Sequence, residues 1–320
     1  MTTRPRVAVL FRTHIWPLSE RARFAHIHLA PSLSSYANHI AIYNSDPSRK
    51  FDIDLWLSYD PGLKCDFDFY TWDIMPLHVY DIDSVNSHGF VHSRHKDLSP
   101  NITYALDNCP KEEPKRGQSW DECQLGTFSP QPMWFNPEYG LLDFYMTKDS
   151  SYAYYWMFEY DVWFKGSLYN YLSAYDSVDK DFMCYLGPEF KKFNTWGYWD
   201  YVPDLGMKSF SPSEHKGAPS RGYWGGVGRV DSDPVYGGYF PVTRFSNSAV
   251  KSLCLAYTQD KVCGFCEVLV PTYLLSKGFS IDNLDRYSSA YEDSCVMVHK
   301  SAEYLGKSFT YSAYGMGERT

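Results

Sequence analysis

No apolar run in this 320-residue chain approaches the ~20 consecutive residues that a membrane-spanning helix needs. Positive charge is also scarce: 30 Lys and Arg stand against 38 Asp and Glu, a formal balance of −8. That balance excludes a general nucleic-acid binder, whose phosphate-facing surface would be basic, and leaves open a local basic site for one phosphate group. Paired cysteine motifs are missing too. Eight cysteines are scattered, and the single C-x-x-C, Cys263 to Cys266, has no second pair at zinc-ribbon spacing. Buried free thiols are the expectation. The amino terminus has basic residues before an apolar stretch, but that stretch is only Val7 to Phe11, with Arg12 and His14 directly after. This is too short for the core of a signal peptide. It reads as a first strand, and the protein as one made and kept in the cytoplasm. The chain also lacks internal repeats and low-complexity tracts.

Aromatic residues, by contrast, are abundant. They make up 18% of the chain, with 28 Tyr and 10 Trp. Large aromatics bury well and their polar tips need one partner each, so a Tyr-rich core accounts for them. A sugar-stacking surface is the alternative that composition alone leaves open.

Short apolar runs at 5–11, 51–58 and 77–82 read as strands, and the apolar spacing between 18 and 44 is nearer helical. Residues 86–132 are polar and rich in Pro, Gly and Lys, as expected of an irregular insertion. His88, His92 and His95 within it share one helical face, but Gly89 weakens that helix and no carboxylate falls in register; solvated loop is the better reading. Residues 138–150 fit a helix. Leu168, Tyr171, Leu172 and Tyr175 follow the i, i+3, i+4, i+7 pattern of an amphipathic helix, and 181–186 reads as a strand. The Gly-, Ser- and Pro-rich stretch 201–238 predicts a mobile lid, with a plain disordered excursion as the alternative, and Asp231 and Asp233 are assigned to turns around Pro234. Ser246 can cap a helix running to about Tyr257, and a further helix beginning near Glu267 ends near Gly278. Strands alternating with helices predict an α/β fold: a mostly parallel sheet covered on both faces.

The most informative stretch is YAYYWMFEYDVWFKG, residues 152–166. Its aromatic and β-branched content predicts one buried strand. On a strand Glu159 and Asp161 share a face, with Tyr160 opposite. Two carboxylates at the end of a buried strand are costly unless a cation neutralises them. An Arg or Lys would serve, as would a divalent metal; hard oxygen ligands suit Mg²⁺ or Mn²⁺.

An apolar strand ending in Glu159-x-Asp161, then a short loop and an amphipathic helix, resembles the DxD region of GT-A-type glycosyltransferases. This is an E-x-D variant, in which Asp161 matches the direct metal ligand and Glu159 the member whose role varies. The resemblance implies one GT-A-like catalytic domain with a mixed, mostly parallel sheet. Residues 1–166 would form its nucleotide-sugar half and 167–320 its acceptor half. It implies a UDP- or GDP-sugar donor bound through Mn²⁺ or Mg²⁺, and a glycan or glycoprotein acceptor. By position, Arg12, Thr13, His14, Glu159 and Tyr160 fall at the donor, Glu159, Asp161 and His299 at the metal, and Glu267 at the general base. The segment 237–241 and the helix after Ser246 fall on the acceptor side.

Three other classes compete. A glycoside hydrolase would use two carboxylates and need neither nucleotide nor metal. A nucleotidyltransferase would take a nucleoside triphosphate. A non-catalytic carbohydrate-binding protein would bind sugar without nucleotide.

Overall fold

The computed structural model describes residues 3–14, 35–60, 76–80, 82–90, 137–159, 162–164, 167–185, 200–202, 207–210, 235–260, 262, 266–288, 297–299 and 310–311. Strand β1 (Arg6–His14) carries the apolar run expected at the amino terminus. Its alternate residues serve two different cores. Val7, Val9 and Phe11 face one layer, and Ala8 and Leu10 the other. A strand buried on both faces lies at the centre of an α/β sheet.

Around it lie β2 (Asp52–Asp60), β3 (Leu77–Val79), β4 (Tyr154–Glu159), β6 (Phe182–Tyr185), β10 (Tyr239–Ser246) and β11 (Ile281–Asn283). The seven strands run in the order β11-β6-β10-β4-β1-β2-β3. All neighbouring pairs are parallel except those of β10, which runs against both β4 and β6. The pairing of β10 slips register between Tyr239 and Thr243, where Pro241 has no N–H to give the ladder. On one face pack helix α1 (35–45) and α4 (Leu168–Ser173). The other is covered by α2 (Ile82–Ser87), α3 (Glu138–Thr147), α5 (Asn247–Thr258) and α6 (Cys266–Ser276). A short α7 (Asp285–Ser288) follows β11. This mixed, mostly parallel sheet with helices on both faces is the fold class that the GT-A resemblance implies.

The periodicities translate directly into burial. Leu168, Tyr171, Leu172 and Tyr175 are all buried, as are Ala249, Val250, Leu253 and Tyr257 of α5. The aromatics of the described residues form core: Phe11 stacks on Phe158 and on Tyr36, in each case with ring centroids 5.1 Å apart. Cys184, Cys254 and Cys266 are free and buried as expected, while Cys263 lies outside the described residues. Among the described residues no helix is long and apolar enough to cross a membrane.

Two expectations are corrected. The stretch 152–164 is two strands rather than one: β4 ends at Glu159, and β5 (Val162–Phe164) belongs to a separate sheet with β12 (Met297–His299) and β13 (Thr310–Tyr311). The i, i+2 parity of a continuous strand therefore does not carry from Glu159 to Asp161. The span 201–238 is not loop throughout either. Strands β7 (Asp200–Val202), β8 (Met207–Phe210) and β9 (Val235–Gly237) form a third, antiparallel sheet, and the lid expected in the remainder lies outside the described residues, as do Asp231 and Asp233. The insertion 86–132 is described only as far as Phe90.

Ser246 sits in extended conformation ahead of α5, and its Oγ accepts from the Ala249 N–H at 3.2 Å. The same hydroxyl lies 2.9 Å from Asp181 Oδ1, joining the cap to β6. Ser246→Ala should cost about 1–2 kcal/mol, read as a lower urea midpoint at unchanged m-value.

Candidate active site

The parallel strands β1 and β4 place Arg12 and Glu159 on the same rung, the last that they share. Arg12 Nη1 lies 3.4 Å from Glu159 Oε1. The arginine side chain is 3% exposed and the glutamate 24%. Arg12 Nε also donates to Tyr80 Oη at 3.2 Å. Thus a buried guanidinium holds a carboxylate whose outer edge is open, at the carboxyl end of the parallel strands. Ligands of α/β sheets bind at that edge.

Two more acids gather at this edge. Glu138 opens α3 and is fully buried. Its Oε1 accepts from the Tyr257 hydroxyl at 2.5 Å, and among the described residues Oε2 has no hydrogen-bond partner. Burial pushes this carboxyl up to about 7, against the opposing pull of the Tyr257 hydrogen bond and the nearby Arg12 charge. Glu267 lies in the first turn of α6 and keeps an accessible edge. Burial and the negative charge of Glu159 push it up to about 8. The Cys266 thiol beside them is raised by burial and by the charges of Glu138, Glu267 and Glu159. These shifts share one main cause: each group is buried where water is scarce, so its charged form is disfavoured.

Backbone chemistry fixes Glu267 in place. Pro271, inside α6, has no N–H to bond the carbonyl four residues earlier, that of Glu267. That carbonyl instead accepts from the Gly238 N–H at 2.8 Å. The Glu267 carboxyl is further engaged by the Phe240 backbone N–H. One turn along, Thr272 Oγ1 takes the Tyr236 N–H at 2.8 Å. A proline that would weaken an isolated helix here stitches α6 to β9 and the start of β10.

Of the sequence-predicted residues, the fold brings Arg12, Glu159 and Glu267 together. Thr13 and His14 end β1, and their side chains lie outside the described residues, as do Tyr160 and Asp161 entirely. His299 ends β12, whose antiparallel pairing sets it opposite Val162, the residue after Asp161. Its side chain is likewise not described. Among the described residues no group of three His, Cys, Asp or Glu side chains is arranged to hold a metal ion.

Of the histidine trio, His92 and His95 lie outside the described residues, and His88 has a protein partner: its Nε2 meets Asp143 Oδ1 at 2.9 Å. The other Asp143 oxygen meets His78 Nε2 at 2.8 Å, and His78 Nδ1 meets Ser58 Oγ at 2.9 Å. Asp143 is held below the usual carboxylate range by these bonds, which outweigh its burial. Ser58, His78 and Asp143 have the composition of a hydrolytic triad. All three are sealed in the core, where no substrate reaches the hydroxyl.

Sequence reasoning missed Glu138 and Tyr80. An acid opening a largely apolar helix, EYGLLDFYMT, was the available signal for the first. Nothing local marks Tyr80.

No protein-family model matches the chain, and a search of curated proteins finds no match. Solved structures similar to it include a galactosyltransferase, LgtC, in complex with donor and acceptor sugar analogues; identity is 10%, the TM-score 0.31, and the match covers 86% of this chain and 72% of that one. Core-mannan synthase A of Aspergillus fumigatus in its Mn/GDP form is 10% identical at a TM-score of 0.39, covering 91% and 73%. Mouse xyloside xylosyltransferase 1 in its apo form is 8% identical at 0.33, covering 88% and 85%.

The raised carboxyl of Glu267 has a consequence for stability. Between its ordinary value of 4.5 and about 8, the folded protein holds a proton that the unfolded chain has lost. Stability from this group is therefore present at low pH and lost as pH rises through that window. Glu267→Gln, which cannot ionise, should gain on the wild type at up to about 1.4 kcal/mol per pH unit. Urea unfolding of both proteins at pH 5, 6.5 and 8 reads this gap, and a gap independent of pH contradicts the assignment.

Proposed function

We propose that the protein is a metal-dependent glycosyltransferase that moves a sugar from a UDP- or GDP-sugar to a hydroxyl of a glycan or glycoprotein acceptor. One observation carries this reading. At the carboxyl edge of a mixed, mostly parallel sheet, Glu159 pairs with the buried Arg12 guanidinium, and Glu267 at the start of α6 lies close enough to feel the Glu159 charge.

The donor chemistry fits a divalent cation of the Mn²⁺ or Mg²⁺ type. Carboxylate oxygens and one imidazole are hard-to-borderline donors, and the acids exceed the positive charge of Arg12. Glu159, Asp161 and His299 would hold the ion. Bound there, it would supply Lewis-acid neutralisation of the leaving diphosphate.

The chain's own residues do the rest. Arg12 fixes the Glu159 carboxylate and adds positive charge beside the phosphates. Thr13, His14 and Tyr160 would serve the donor from the 1–166 half. Glu267, on the acceptor side formed with 237–241 and α5, takes the proton of the attacking hydroxyl in an inverting transfer. A carboxyl near 8 is strong enough as a base for this and still ionises near neutral pH.

Titration calorimetry of UDP and GDP with and without Mn²⁺ tests the proposal. The wild type should bind one of them in a Mn²⁺-dependent manner, and Asp161→Ala should weaken that binding at least tenfold with an unchanged melting temperature. Glu267→Gln should keep nucleotide affinity while transfer falls by roughly 10²- to 10⁴-fold. Unchanged affinity in Asp161→Ala would overturn the metal site. Sugar release without nucleotide or metal would identify a hydrolase instead.

A further inference from the structure

Tyr80 follows β3 and is 1% exposed, in the core between the sheet and α3. Three contacts fix its ring. The first is with Gly140 in α3, where a Cβ would come within 2.6 Å of Tyr80 Cζ and 2.8 Å of its Oη. Glycine inside a helix costs roughly 1 kcal/mol relative to alanine, and here it leaves the room that the phenol occupies. The second is His78, whose imidazole stacks on the phenol with centroids 5.4 Å apart and planes inclined by 11°. That imidazole is itself immobile, since Ser58 holds Nδ1 and Asp143 holds Nε2. The third is the hydroxyl oxygen, which accepts from Arg12 Nε at 3.2 Å.

We infer that Tyr80, seated by Gly140 and by the Ser58–His78–Asp143 line, is the positioning residue that sets the plane of the Arg12 guanidinium. A guanidinium is planar, with its donors in a rigid fork. Binding Nε to Tyr80 and Nη1 to Glu159 fixes that plane, and with it the position of the guanidinium charge and of the Glu159 carboxylate relative to a phosphate at the strand ends. The buried Ser-His-Asp line acquires a role in this way. It is a rigid shelf two contacts behind the candidate site, of the kind that holds a working group within a fraction of an ångström. The functional part of this inference rests on the proposed donor site; the structural part does not.

Tyr80→Phe separates the two parts, because it keeps the ring in the Gly140 groove and on His78 and removes only the hydroxyl. The first readout is hydrogen exchange at Arg12 Nε–H by NMR, which needs no ligand. Exchange should quicken at least tenfold in Tyr80→Phe, and an unchanged rate overturns the positioning role whatever reaction the protein performs. The second is affinity for UDP or GDP with Mn²⁺, whichever the wild type binds. Tyr80→Phe and Arg12→Lys should each weaken it about tenfold, and the double variant little further, because both act through one guanidinium plane. Wild-type affinity in Tyr80→Phe, or full additivity in the double variant, overturns the inference. A wild type that binds neither nucleotide refutes the glycosyltransferase reading, and the exchange rate then decides the positioning role alone. Gly140→Ala should quicken exchange at least as much as Tyr80→Phe. Should Gly140→Ala fail to fold, Tyr80→Phe still decides the matter.

Discussion

The Arg12–Glu159 pair is set by sheet register rather than by side-chain chance. Parallel pairing of β1 with β4 puts the two residues on one rung, the last that these strands share. A guanidinium buried to this degree needs a negative partner, and removing either member of such a pair leaves an uncompensated charge costing several kcal/mol. The pair in turn dictates the behaviour of its neighbours. Glu138 and Glu267 lie beside this pair in a dry environment. Burial raises both, with the Glu159 charge adding to the rise of Glu267 and the Arg12 charge opposing that of Glu138.

Two residues at this edge go against the local rules of the helices that contain them. Gly140 sits inside α3 and Pro271 inside α6. In each case the local cost has a tertiary return. Gly140 makes room for the Tyr80 phenol, and Pro271 leaves the Glu267 carbonyl for Gly238. Departures from local propensity are expected to gather where a fold has been adapted to a task. Here both departures end on groups within one contact of the acid cluster.

Much of the scaffold was legible in the sequence because it follows from period. The amphipathic spacing of α4 and α5, the doubly buried β1 and the Ser246 cap are local properties, and they reappear in place. Glu267 was legible as an acid at a helix start. The break between β4 and β5 was not, since aromatic and β-branched residues continue across it and only pairing partners tell the two strands apart. Glu138 and Tyr80 were not legible for a different reason. Their significance arises from Arg12, 126 and 68 residues away in the chain, a proximity created by the sheet.

The abundance of aromatics and the unusual acids have a common cause. The rings of Phe11, Phe158, Trp156 and Tyr171 pack one face of β1 and β4, while Tyr139, Tyr155 and Tyr257 pack the other. Such rings exclude water over a large area and offer few polar atoms in return. A carboxyl set against that packing loses hydration without gaining equivalent hydrogen bonds, which is the largest influence on both Glu138 and Glu267. The Tyr257 hydroxyl compensates one oxygen of Glu138, and among the described residues the other has no hydrogen-bond partner. A smaller, wetter core would have left these acids titrating near their ordinary 4.5. The aromatic content, first read as core material, thus also tunes the acids at its edge.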